Sequence, residues 1–99
     1  MEAGFTWDPA KAERNERDHG VSFDMAREVF ADPNQIVTEN YHFEDEGEQR
    51  YSAIGMTRKL ALVVVVFADR SGPAGENIHI ISARKAVAYE RSIYEDQIG

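Results

Sequence analysis

The chain predicts an α+β domain, an antiparallel sheet of about four strands with two helices before it and one after it. Three observations carry that expectation. The run Leu60 to Ala68, LALVVVVFA, is about half the length a membrane helix needs, yet it is apolar at both parities. A central strand covered on two faces has that pattern. On either side of it, Arg50 to Met56 and Asn77 to Arg84 read as strands with period two. Helix-start chemistry, in contrast, is confined to the first third of the chain and to its last fifteen residues.

Taken in order, Phe5, Thr6 and Trp7 suit a short strand, and Asp8-Pro9 reads as an N-cap followed by proline at the first helical position. The helix is expected to run to His19, with Gly20 beyond its C-cap. Its only apolar side chains are Ala10 and Ala12, so no wide stripe holds it, and Lys11, Asn15 and His19 form a polar row at spacings of four. That row either faces a ligand or partner, or fastens the helix to the sheet through buried hydrogen bonds. A second helix is capped by Ser22 and buries Phe23, Ala26, Val29 and Phe30, and Asp32-Pro33-Asn34 ends it. Gln35 to Glu39 is a short strand. From Glu39 to Glu48 inclusive there are five acids and no base, around Tyr41, His42 and Phe43. Convergent metal ligands are not indicated by any spacing there, and an acidic loop is expected. Gly55 marks a bulge or a close backbone approach. After the central strand, Asp69 to Glu76 is an open loop with Gly72, Pro73 and Gly75. The last helix is expected to follow Lys85 and reach about Glu95, with Ala86, Tyr89 and Ile93 inward.

With 99 residues the chain is one domain, 1–99, with a single modest core. The sequence contains no cysteine, which excludes disulfides and thiolate metal sites. No secretory signal or long apolar span is visible, so a cytoplasmic protein without a membrane partner is expected. The net charge of -7 argues against general nucleic-acid binding. Its distribution does not. Residues 1–49 carry thirteen acids and four bases, whereas residues 50–99 carry seven bases and five acids. An anion site therefore belongs in the second half, and the acidic half suits a basic partner.

The junction NIHIISARKA, Asn77 to Ala86, is where function is expected. In an unbulged strand Ile78, Ile80, Ser82 and Arg84 share one face, and His79, Ile81 and Ala83 the other. An arginine at the end of a core strand is rigidly held and suits phosphate recognition, or else it pairs with a surface acid.

Several of these residues together resemble the BrnT toxin family. Trp7-Asp8 with Lys11, Asn15, His19-Gly20-Val21, Phe23, Ala26, Val29-Phe30 and Asp32-Pro33 resemble the family's N-terminal signature. Gly47-Glu48, Arg50-Tyr51, Ile54-Gly55, the valine-rich strand and Ile80 to Arg84 resemble its C-terminal half. The resemblance implies a RelE-like fold and the toxin of a bacterial type II toxin-antitoxin pair. It implies RNA cleavage that stops translation, neutralisation by a ribbon-helix-helix antitoxin of the BrnA kind, and operator DNA contacted only through that antitoxin. Cleavage of this type uses the ribose 2′-hydroxyl as nucleophile and requires neither metal nor cofactor. The protein supplies a proton acceptor, a proton donor and positive charge.

On that reading Arg84 and Arg50 stabilise the phosphate, with Lys85 in support. His79, His19 and Glu48 are the candidates for proton transfer. Trp7 or Tyr51 stacks on a base, and Lys11 joins the RNA contacts. Arg84 and His79 share a site only if the strand twists or bulges between them. Two departures from the family pattern stand out. The position of His79 is often arginine, and the last helix holds only Arg91 where relatives carry several cations, which implies weaker RNA affinity. The alternative is a catalytically weak homologue that serves as an antitoxin-binding module in operon regulation.

Overall fold

The computed structural model describes residues 4–40 and 48–98. The acidic stretch around Tyr41, His42 and Phe43 lies outside them. The elements are β1 (Phe5–Thr6), α1 (Pro9–His19), α2 (Phe23–Arg27) running into a 3-10 turn (Glu28–Ala31), β2 (Ile36–Glu39), β3 (Tyr51–Met56), β4 (Leu62–Asp69), β5 (Ile78–Lys85) and α3 (Ala88–Ile98). They form one five-stranded sheet in the order β1-β5-β4-β3-β2. Strands β2 to β5 are the expected antiparallel meander, and β1 adds a parallel edge, with Phe5 opposite Ile78 and Thr6 opposite His79. Two residues are too few for period two to reveal which neighbour a strand selects.

The helix starts form as their chemistry dictates. Asp8 Oδ1 accepts from the Ala10 N–H at 2.8 Å, Pro9 follows it, and Gly20 closes α1 in the left-handed region at φ 71°. Ser22 Oγ accepts from the Met25 N–H at 3.0 Å. Of the polar row on α1, Asn15 is buried and His19 exposed. The Asn15 amide donates to the carbonyls of Val21 (2.9 Å) and Ala83 (2.8 Å), and its oxygen accepts from the Ala83 N–H (3.1 Å). Beyond the end of β1 it therefore does for β5 what a neighbouring strand would do.

The core lies between α1, α2 and one sheet face: Val21, Phe23, Ala26 and Val29 meet Ala53, Val63, Val65, Phe67, Ile80 and Ala83. Gly55 explains itself here, because a Cβ there would stand 2.8 Å from Val29 Cγ1 and 3.0 Å from the Val29 carbonyl. The central strand begins two residues later than its apolar run. Leu60 is exposed in the Thr57–Leu60 turn with φ 60°, and its N–H bonds back to the Thr57 carbonyl at 2.9 Å.

The last helix corrects the expected inner face. Tyr89 is 74% exposed and Ile93 37%, while Tyr94 is buried. The cause is Asp32, whose carboxylate accepts from the Tyr94 hydroxyl (2.5 Å), the Met56 N–H (2.7 Å) and the Asn34 N–H (2.8 Å). A buried carboxylate requires such donors, and meeting that need turns α3 so that Tyr94 points inward.

Candidate active site at one end of the sheet

The alternation expected for β5 fails at one residue. Ser82 pairs with Val66 and Ile80 with Phe67, so Ile81 is the extra residue of a β-bulge. Beyond the bulge the parity inverts. Ile80 and Ala83 both face the core, while His79, opposite Ala68, shares the other face with Ser82 and Arg84, opposite Val66 and Val64. Asn15 holds the Ala83 backbone in that inverted register.

His79 heads a charged cluster at one end of this face. Glu48 receives both nitrogens of one edge of Arg70, Nε at 2.9 Å and Nη2 at 3.0 Å, and lies 3.7 Å from Arg50 Nη2. The bidentate bond from Arg70 outweighs burial and holds the Glu48 carboxyl below its usual range, with Arg50 and His79 adding to the effect. The same bond raises Arg70 further. Arg50 keeps only 13% of its side-chain surface exposed, and its buried Nε has no hydrogen-bond partner among the described residues. Burial pushes His79 below the ordinary histidine value; Arg70, Arg50 and Lys11 act in the same direction, and Glu48 opposes them. The imidazole is therefore shifted toward its neutral form, within electrostatic reach of two guanidinium groups.

The other expected residues lie elsewhere. Arg84 is four β4 positions from His79, roughly 13 Å along the strand. Its fork is filled by Glu90, with Nη1 to Oε1 at 2.8 Å and Nη2 to Oε2 at 2.7 Å. That bond raises Arg84 and lowers Glu90, and Glu90 also accepts from the Val87 N–H to cap α3. His19 lies at the Arg84 end, in a groove of about 660 Å³ between Ile36, Ile54, Val64, Tyr89 and Ile93. Lys85 is exposed and pairs with Val63, which places it on the face opposite to Arg84. Lys11 borders a shallow cleft with Arg14, Asp18 and His19, though within electrostatic reach of His79. The Trp7 ring meets Phe23 edge-on at 5.9 Å, and Tyr51 stacks on Phe67 at 5.5 Å, so both rings serve the core.

Arg70 and Thr6 complete the cluster; in the sequence Arg70 stands out only as one of the seven bases of the second half, and Thr6 not at all. A signal existed for Arg70. It follows the central strand directly, so the hairpin returns it beside the start of β5, where its N–H bonds the Asn77 carbonyl at 2.8 Å. Thr6 depends on the parallel edge pairing and had no signal. No group of three or more His, Cys, Asp or Glu able to hold a metal occurs among the described residues.

The class these features define is a small α+β domain with α1 and α2 packed on one face of a five-stranded sheet, and with a cluster of one imidazole, one carboxylate and two guanidiniums at one end of the sheet. Within that class the chain belongs to the BrnT family, described as the ribonuclease toxin of type II toxin-antitoxin systems, whose pattern it matches over residues 7–90. The fold is similar to that of the Brucella abortus ribonuclease toxin BrnT, known at 1.1 Å, with a TM-score of 0.61 and 25% identity. That match covers 87% of this chain and 99% of the Brucella chain. Among curated proteins none matches.

Proposed function

We propose that this chain is an endoribonuclease toxin that halts translation by cutting RNA at the His79, Glu48, Arg50 and Arg70 cluster. The observation that carries this reading is the cluster itself: Glu48 takes a bidentate bond from Arg70 and lies 3.7 Å from Arg50, and all three lie within electrostatic reach of His79. His79 takes the proton of the ribose 2′-hydroxyl as that oxygen bonds to phosphorus. Arg50 and Arg70 stabilise the charge of the pentavalent phosphorus. The P–O5′ bond breaks, the 5′-oxygen takes a proton from water, and a 2′,3′-cyclic phosphate remains. Glu48 spaces and orients the two guanidiniums. Arg84, its fork already occupied, fixes the start of α3 and contacts RNA away from the reacting phosphate.

The toxin acts in the cytoplasm and is held inactive by a ribbon-helix-helix antitoxin of the BrnA kind, through which alone it meets operator DNA. The second reading, an antitoxin-binding module without cleavage, is favoured by one feature. Val87, Tyr89 and Ile93 expose apolar surface beside the neutralised Arg84. Induced expression separates the two readings. Primer extension on cellular RNA should reveal new 5′ ends with the wild type, and these should vanish with His79→Ala and Arg50→Ala and persist, diminished, with Arg84→Ala. Intact RNA from a folded wild-type chain would favour the binding module.

A further inference from the structure

Thr6 joins β5 through its side chain as well as its backbone. Its Oγ1 lies 3.0 Å from Asn77 Oδ1 and 2.8 Å from His79 Nδ1. A threonine hydroxyl has one hydrogen to give. Asn77 Oδ1 is an acceptor only, so that hydrogen is spent on it, and Thr6 can offer His79 nothing but a lone pair. Two lone pairs facing each other at 2.8 Å would repel, so Nδ1 must carry the proton.

Asn77 is itself pinned in place. Its N–H donates to Ser71 Oγ at 2.9 Å and its carbonyl accepts from the Arg70 N–H at 2.8 Å, both across the β4–β5 hairpin. The register Thr6 opposite His79 is set by the parallel pairing of β1 with β5.

We propose that Thr6, backed by Asn77, is a positioning residue that fixes His79 as the Nδ1–H tautomer and leaves Nε2 bare as the proton acceptor. Histidine tautomers are set by the bond the second nitrogen makes, and an unconstrained side chain prefers the opposite form, with the proton on Nε2. The charged groups facing His79 are Lys11 from α1, Glu48 and Arg50 ahead of β3, and Arg70 after β4. Burial first, and then the three cations, favour the neutral ring, and the tautomer matters only in a neutral ring. The proposal deepens the ribonuclease reading, since it names what orients that reaction's base.

The experiment is nitrogen-15 NMR of the imidazole-labelled chain near pH 7.5, without RNA, on wild type, Thr6→Val and Thr6→Ser. The expected result is an Nδ1–H tautomer in wild type and Thr6→Ser, and reversion toward Nε2–H in Thr6→Val. An Nε2–H tautomer in the wild type, or an Nδ1–H tautomer unchanged by Thr6→Val, would overturn the proposal. A parallel cleavage assay across pH distinguishes this from failure of the ribonuclease reading. Thr6→Val should slow cleavage about tenfold, part of the roughly 10²–10⁴ a positioned proton acceptor supplies, with recovery in Thr6→Ser. If the NMR result holds but His79→Ala cleaves as fast as wild type, the tautomer assignment stands and the catalytic reading fails.

Discussion

Replacing Asn15 tests the joint that holds α1 to the sheet and sets the parity of β5. Asn15→Leu keeps the approximate volume and removes three hydrogen bonds, to the Val21 carbonyl and to both backbone groups of Ala83. At about 1 kcal/mol net for each bond, the loss is about 3 kcal/mol. The groups left behind are buried backbone donors and acceptors, so the cost exceeds that of deleting an exposed pair. Against a total stability of roughly 5–15 kcal/mol, this is a large share. In a domain of this size it lowers Tm by about 12–24 °C. Urea unfolding followed by far-UV circular dichroism gives the energy, and hydrogen exchange at the Ala83 N–H reports the joint itself. A loss below about 1 kcal/mol with Ala83 still protected would refute the argument, because the orphaned groups would then have found other partners.

Asp32 and Tyr94 make stability depend on pH at both extremes. Burial alone would raise Asp32, but the donors Tyr94, Met56 N–H and Asn34 N–H more than offset it and hold the carboxyl below its ordinary value. Its contribution is present above the unfolded pKa of about 4 and is lost as pH falls through the lower folded value, so Asp32→Asn should flatten the acid limb of a stability profile. Burial, and then the Asp32 bond, push Tyr94 up to about 12. Stability is therefore full below about pH 10 and is lost as pH rises towards that folded value, a limb that Tyr94→Phe should abolish in alkaline urea titrations. Gly55→Ala should cost about 1–3 kcal/mol in the same assay, since Val29 approaches within 2.8 Å and part of that contact is backbone. Glu90→Ala should cost only about 1 kcal/mol: it removes the α3 cap and an ion pair whose Arg84 partner is 44% exposed, so solvent screens most of the charge effect.

Much of this fold is local chemistry and was therefore legible in sequence. Asp8-Pro9, Ser22 and Gly20 each act within a few residues of themselves, and the valine-rich strand needed both faces covered wherever it lay. The close approach at Gly55 was likewise legible, though not its partner Val29. What escaped is what two distant segments decide between them. The parallel seat of β1, the inward turn of Tyr94 towards Asp32, and the extra residue at Ile81 each depend on a partner up to about seventy positions away. The candidate site follows the same division. Glu48, Arg50 and His79 were recognisable by type, and the bulge at Ile81 was visible only as a condition for Arg84 to share the face of His79. The bulge met that condition of a shared face, yet Arg84 stayed at the far end with Glu90. Arg70 and Thr6 enter through the hairpin and the edge strand.

The central claim is that the cluster around His79 cuts RNA through the ribose hydroxyl. It is tested most directly by incubating the purified chain with an end-labelled RNA oligonucleotide, and with the same strand carrying a 2′-deoxyribose at the cut. The account predicts a 2′,3′-cyclic phosphate and a 5′-hydroxyl end from the all-RNA strand, no cut at the deoxy position, and a loss of about 10²–10⁴-fold in His79→Ala. Cleavage that ignores the deoxy substitution, or proceeds undiminished in folded His79→Ala and Arg50→Ala, would contradict it.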